Sequence, residues 1–270
     1  MSISIKKEKD MKVTTTIAYI FMLTINILAN TIPLNNITTG EVSDRYANLF
    51  APTGFTFAIW GLIYLALGGF IIFQWRDAFY SPETSVMVIQ LRKWFSLSSL
   101  ANGLWIVMWH YDELAISVFM MFIILFCLIK SINLIHSAKL TTSERIWIHK
   151  PFSLYFGWIT IATIANVTTF LTKQHFVLFN FTEELTTSIV LVLGVLVTTI
   201  VLMKFKDLTY GMVALWSYYG ILFKHTSDTG FKGEYGMIIT VVAFNMIFTA
   251  LVMTFVSYKK LKTLKKKFSN

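Results

Sequence analysis

The sequence predicts an all-α integral membrane protein with about eight transmembrane helices. Three observations carry that expectation. First, 56% of the 270 residues are hydrophobic and only 14% are charged, where a soluble domain carries about 25% charge. Second, eight apolar runs, at about 13–34, 53–75, 89–109, 114–135, 151–171, 184–203, 208–224 and 236–258, approach or exceed the roughly 20 residues needed to cross a hydrocarbon core. Third, the cations divide by side. Eight spans put both termini on one side, and of the 23 Lys and Arg residues only Arg45, Lys173, Lys224 and Lys232 fall on the other. Cations in short loops collect in the cytoplasm. Both ends are therefore expected to be cytoplasmic, in a multi-pass protein of a cell membrane of the bacterial plasma-membrane type.

The elements follow in order. Residues 1–12 form a basic segment. The apolar run after it is longer than the roughly 7–15 residues of a signal-peptide core, and "ILANTIPLNN" offers no convincing cleavage site, so a retained first span is expected. In the second span, "APTGFTFAIWGLIY" places Phe57, Trp60 and Tyr64 on one helical face. Gly54, Gly61 and Gly68 recur along a strip of that span and are expected to let a neighbouring helix approach. The third span, "SSLANGLWIVMWH", repeats the spacing with Asn102, Trp105 and Trp109. The fourth holds Cys127, the one cysteine, which excludes an internal disulfide or a Cys-based metal site and reads as a packing residue. In the fifth, "LYFGWITIATIANVT" aligns Tyr155, Trp158, Ala162 and Asn166. Three further spans cover 173–258. Trp216, Ser217, Tyr218 and Tyr219 make the seventh the most polar of these, Asn245 is the lone amide of the eighth, and both spans are expected to pack on the rest. Trp75, Trp94 and Trp147 lie near span ends as interface anchors. The polybasic tail, 259–270, sets topology and attracts anionic headgroups at roughly 1 kcal/mol per cation.

Several function classes find no support. The net charge of +9 is spread between spans and forms no basic face, so no nucleic acid is expected as a partner; the partners are the lipid bilayer and a hydrophobic small molecule. No Asp, Glu, Lys or Arg is expected near the middle of a span, with Arg92, Lys93 and Glu183 at span ends, which disfavours an ion-coupled transporter. His110, His136, His149, His175 and His225 fall at loops or span ends, and no metal site is expected from them. No phosphate-binding loop, zinc-protease helix or nucleophile elbow occurs. The span interiors are polar only through amides, hydroxyls and rings. One aromatic stripe is ordinary helix packing. Three together favour a ring-lined pocket, in which flat ligands stack on Trp and Tyr and an indole N–H or Asn amide fixes orientation.

These residues resemble the TspO/MBR family, the tryptophan-rich sensory or translocator proteins. The resemblance rests on Tyr46, Leu49, Pro52, Gly54-Phe55, Phe57, Trp60, Tyr64 and Gly68 around the second span. Asn102 and Trp105 carry it in the third span, and Tyr155, Trp158, Ala162, Thr163 and Asn166 in the fifth. It covers about residues 13–172. It implies a five-helix core over 13–172, closed by a lid loop at 35–52, with residues 173–258 as three additional C-terminal helices that the five-helix family lacks. It further implies a ligand site of Pro52, Phe55, Phe57, Trp60, Tyr64, Asn102, Trp105, Tyr155, Trp158 and Asn166. The implied ligand is a tetrapyrrole such as protoporphyrin or haem, with no cofactor required, in a protein that forms homodimers and acts in sensing, sequestration or transport. The chain departs from the family where Phe55 replaces a Trp and Leu154 replaces a Pro. Glu41, Asp44 and Arg45 of the lid read as a solvated face. Pro52 and Gly54 read as the residues that turn the lid into the second span. An uncoupled transporter of a lipophilic solute, a porphyrin-degrading enzyme and a purely structural partner stay open as alternatives; no residue pattern requires catalysis, and no catalytic residue is assigned.

Overall fold

The structure, a computed structural model, describes residues 5–32, 34–46, 48–76, 80, 82–176 and 179–268. The first four residues of the basic N-terminal segment and the last two of the polybasic tail lie outside the described residues. All regular structure described is helical. The helices are α1 (Ile5–Thr31), α2 (Thr39–Arg45), α3 (Ile59–Phe73), α4 (Pro82–His110), α5 (Leu114–Ser137), α6 (Thr142–Lys173), α7 (Glu183–Phe205), α8 (Leu208–Thr226) and α9 (Gly236–Phe268). Apolar side chains such as Leu65, Ile72, Ile200, Met212 and Leu251 point outward, as a lipid-facing surface requires.

Among the described residues, six helices are long and apolar enough to cross a membrane. The other two expected spans, α4 and α8, have 29 and 19 residues and are more polar, with hydrophilic residues on the face turned to neighbouring helices. On that face Arg92, Ser98, Ser99, Asn102, Ser217 and His225 are buried. Arg92 corrects the expectation of a charge snorkelling at a span end. The helix α4 starts earlier than the apolar run, so Arg92 lies well inside it. The side chain is buried, with Nε donating to Gln74 Oε1 at 3.2 Å, Nη2 to the Gln74 carbonyl at 3.3 Å and Nη1 to Glu8 at 3.5 Å. It thereby neutralises the carbonyl end of α3.

The first core is formed by α1, α3, α4, α5 and α6. At its centre Phe70, Phe95 and Phe152 meet pairwise with ring centroids 5.1–5.6 Å apart. The last three helices dock on the outer side of α6, chiefly through α8. Gly157 makes this docking close: a Cβ there would lie 2.9 Å from Val213 Cβ. A second core joins α6, α7, α8 and α9 to Leu49 and Phe50 of the lid loop, so the C-terminal helices pack, as expected, and also anchor the lid.

Two local features arise from chain chemistry. Pro151 has no N–H and its ring crowds the carbonyl four residues back. The preceding residues, Arg145–His149, widen into a π turn that accommodates this. Between α1 and the lid, Asn35 and Asn36 adopt φ of 56° and 58°, the left-handed conformation that Asn tolerates.

The Gly54/Gly61/Gly68 strip is corrected. A Cβ on Gly68 would meet the Tyr19 hydroxyl at 2.8 Å, but one on Gly54 or Gly61 would meet nothing within 4 Å among the described residues. Those two glycines border an open crevice between α1 and α3 rather than a neighbouring helix. The turn into α3 is also not made by glycine freedom, since Gly54 does not adopt positive φ. Asn48 makes it: its Oδ1 accepts from the Phe50 and Ala51 amides at 3.1 and 2.8 Å, and its Nδ2 donates to Tyr46 O and Thr169 Oγ1.

Candidate functional site

The three aromatic stripes converge on Trp60. Its ring stacks on Tyr64 at 5.3 Å and 16°, and lies 5.6 Å from Trp105 and 6.1 Å from both Tyr155 and Trp158. Phe57 meets Trp158 edge-on at 5.8 Å, and Trp105 stacks on Trp109 at 6.3 Å. Behind the rings runs an amide–phenol chain. Asn26 Nδ2 donates to Asn102 Oδ1 at 2.8 Å, and Asn102 Nδ2 donates to Tyr155 Oη at 3.1 Å. Across the bundle Ser117 and Asn166 hydrogen-bond each other at 3.1–3.3 Å.

Two spaces flank Trp60. The inner one, about 30 Å³, is enclosed by Phe57, Trp60, Trp105, Trp109, Trp158, Asn166, Pro52 and the lid residues Thr39 and Ser43. It has room for one or two waters. The outer one, about 630 Å³, is the crevice between α1 and α3, lined by Asn26, Asn30, Phe57, Trp60, Gly61, Tyr64, Ile106 and lid residues from Thr38 to Asp44. Its volume falls within the roughly 300–1,000 Å³ of ligand pockets. Trp60, Phe57 and Thr39 line both spaces, so Trp60 is a shared wall. Among the described residues, the buried Nε1 atoms of Trp105 and Trp158 and Oγ1 of Thr39 have no partner, a cost unless a guest or water meets them.

Of the residues expected at the site, Pro52, Phe57, Trp60, Trp105, Trp158 and Asn166 line the inner space, and Tyr64 the crevice. Asn102 and Tyr155 lie behind the rings as a buried support. Phe55 is placed elsewhere: it is 41% exposed and packs on Trp216, Tyr219 and Phe223 of α8. Three residues before the helical face of Trp60, Phe57 points inward while Phe55 points away. Trp109, the third member of its stripe, joins the lining although the resemblance does not include it. Thr39 and Ser43 give no sequence signal, because only the fold brings the lid over the rings.

The lid is fastened at both ends. Thr38 and Glu41 form a capping box at the start of α2, and the Thr38 amide and hydroxyl hold the Glu41 carboxyl below its usual range. Trp109 Nε1 donates to Thr39 O at 3.1 Å. Tyr46 and Lys173 both bond Asp112, at 2.8 and 2.7 Å. Burial works to raise the Asp112 carboxyl, but Lys173 and Tyr46 outweigh it and hold it low. From α8, Lys224 pairs with Asp44 at 2.9 Å, His225 Nε2 meets Leu49 O at 2.8 Å, Trp216 Nε1 donates to Thr56 O at 3.0 Å, and the Gly220 carbonyl accepts from Thr53 N at 3.2 Å. Asp44 is thus more than a solvated residue, while Arg45 is exposed and lines neither space.

The histidines also differ from expectation. His136 and His149 come together with Asp207 at the opposite end of the bundle from the lid.

Fold and site define a class: an all-helical, multi-pass membrane protein with a tryptophan-lined internal space beneath a short helical lid. The TSPO-like protein family model matches residues 12–256, and the chain belongs to that family. The match takes in α7, α8 and α9 as well as the first five membrane helices. No curated protein and no solved structure matches.

Proposed function

We propose that the protein binds a flat hydrophobic ligand, of the tetrapyrrole class, in the crevice between α1 and α3, with one ring face against Trp60. The observation that carries this is the position of Trp60, stacked on Tyr64 at 5.3 Å and walling a crevice of about 630 Å³. Such a volume suits a large planar guest, whereas the inner space of about 30 Å³ does not. The guest would slide in between α1 and α3 from the bilayer, where apolar molecules concentrate. The polar edge of the crevice is formed by Asn26, Asn30, Thr38 and the carboxylates of Glu41 and Asp44, with no Lys or Arg among its described lining residues. That charge pattern favours a neutral or donor-bearing edge over a carboxylate edge. Sensing, sequestration or transport of the guest would follow from a lid that opens, in a membrane protein with both termini in the cytoplasm, alone or as a homodimer.

Titration of the detergent-purified protein with protoporphyrin IX, haemin and protoporphyrin dimethyl ester tests this, read by Trp quenching and the Soret shift. Saturable binding is expected, with the neutral ester at least as tight as the diacid. Trp60→Phe, which keeps an aromatic ring, should weaken it about tenfold, the equivalent of roughly 1.4 kcal/mol. Equal binding by Trp60→Phe, or no saturable binding by folded protein, would refute the proposal.

A further inference from the structure

We propose that His136, His149 and Asp207 form a binding site for one divalent transition-metal ion of the Zn²⁺ type, which clasps the first five membrane helices to the last three. The three residues come from separate elements at one end of the bundle. His136 is in the last turn of α5, His149 closes the π turn at the start of α6, and Asp207 is the N-cap of α8. The ligand atoms lie within 4.8 Å of one another, with His149 Nε2 at 3.2 Å from His136 Nε2 and 3.3 Å from Asp207 Oδ2. Zinc bonds of about 2.0–2.1 Å set tetrahedral edges at roughly 3.3 Å, so two edges already fit. Two imidazoles and a carboxylate are a donor set for Zn²⁺ and its first-row neighbours.

A cation at the centre would take one lone pair from each of the three ligand atoms. An ordinary His149–Asp207 ion pair does not explain the approach of His136 to 3.2 Å.

The surroundings orient the ligands as a metal site needs. Asp207 Oδ1 is occupied by the amides of Thr209 and Tyr210 at 3.1 and 3.3 Å, and Ser153 Oγ donates to Oδ2. The Phe205 ring packs on His136 at 4.8 Å. Arg145 Nε donates to Leu140 O at 3.2 Å. His149 and Asp207 side chains are 18% and 3% exposed, while His136 is open to solvent, leaving an approach for the ion and for a water as fourth ligand.

The test uses full-length, tag-free protein stripped with EDTA, titrated with ZnCl₂ by calorimetry and with CoCl₂ by visible absorption. One ion per chain is expected, with intense Co²⁺ d–d bands and a Tm that rises with Zn²⁺ and falls again with EDTA. Loss of an outer-shell partner costs a metal site 10–100-fold, so His136→Ala and His149→Ala should each cost at least about 100-fold in affinity. Asp207→Asn, which keeps the helix cap, should weaken binding without loss of fold. His136→Ala, at an exposed position, keeps the test valid if His149→Ala does not fold. Unchanged binding by the His136→Ala/His149→Ala double variant, or no saturable Zn²⁺ binding by folded wild type, would overturn the site.

Discussion

Trp60 and Asp112 show how single residues set the behaviour of the site. Trp60 touches four other aromatic rings and lines both spaces, so its ring is both a support for its neighbours and a shared wall. Asp112 is the knot of the lid clasp, with Lys173 and Tyr46 as partners. Its carboxyl titrates below the ordinary value of about 3.9. The stabilisation it gives the closed lid is therefore complete above that ordinary value and is lost as pH falls through the lowered one. Iodoacetamide labelling of a Ser43→Cys lid, at a buried position, should be slow. Its rate relative to the same protein carrying Asp112→Asn, a ratio in which the thiolate fraction at each pH cancels, should stay constant from neutral to mildly acidic pH and approach one only below about pH 4. Asp112→Asn should speed it at neutral pH; equal rates would show that the clasp does not hold the lid. At this scale much is legible in the sequence. Phe57, Trp60, Trp105 and Trp158 stand at helical spacing, and a shared face needs only periodicity. Phe55 is not, because a 3₁₀ turn, Gly54–Ala58, breaks that periodicity one turn before α3.

The helix α8 is the element whose role is least visible in the sequence, where it reads as one more polar-tinged span. The structure makes it the strut of the lid loop, through Trp216, Gly220, Lys224 and His225. These contacts join residues far apart in the chain, 160 positions for Trp216 and Thr56, and no local pattern encodes them. Gly220 is the closest approach: a Cβ there would overlap Thr56 Oγ1 and stand 3.0 Å from the Thr56 Cβ. Gly220→Ala should lower stability by about 1–3 kcal/mol, as overpacking does, with Thr56→Ala restoring part of the loss in the double variant. Thermal unfolding in detergent measures both, and an unaffected Tm for Gly220→Ala would mean that α8 can shift freely on the loop. The π turn of α6 is likewise unreadable as such, although Pro151 marks the place.

At the scale of the whole molecule, the helical membrane class and the family are legible because they rest on composition, apolar runs and three ordered motifs. The metal-type cluster is not, since His136, His149 and Asp207 each stand at a helix end and only the packing of α5, α6 and α8 unites them. Topology predicts that an impermeant maleimide applied to intact cells labels Gly40→Cys and not Lys262→Cys; labelling of the second alone would invert the orientation. Where the ligand sits is tested most directly by Gly61→Leu. A Cβ at position 61 would meet nothing within 4 Å among the described residues, so the leucine fills the α1/α3 crevice without disturbing the core. Unfolding should be unchanged, and protoporphyrin dimethyl ester should lose saturable quenching of the tryptophans. Wild-type binding by a folded Gly61→Leu protein would place the ligand elsewhere and contradict the crevice assignment.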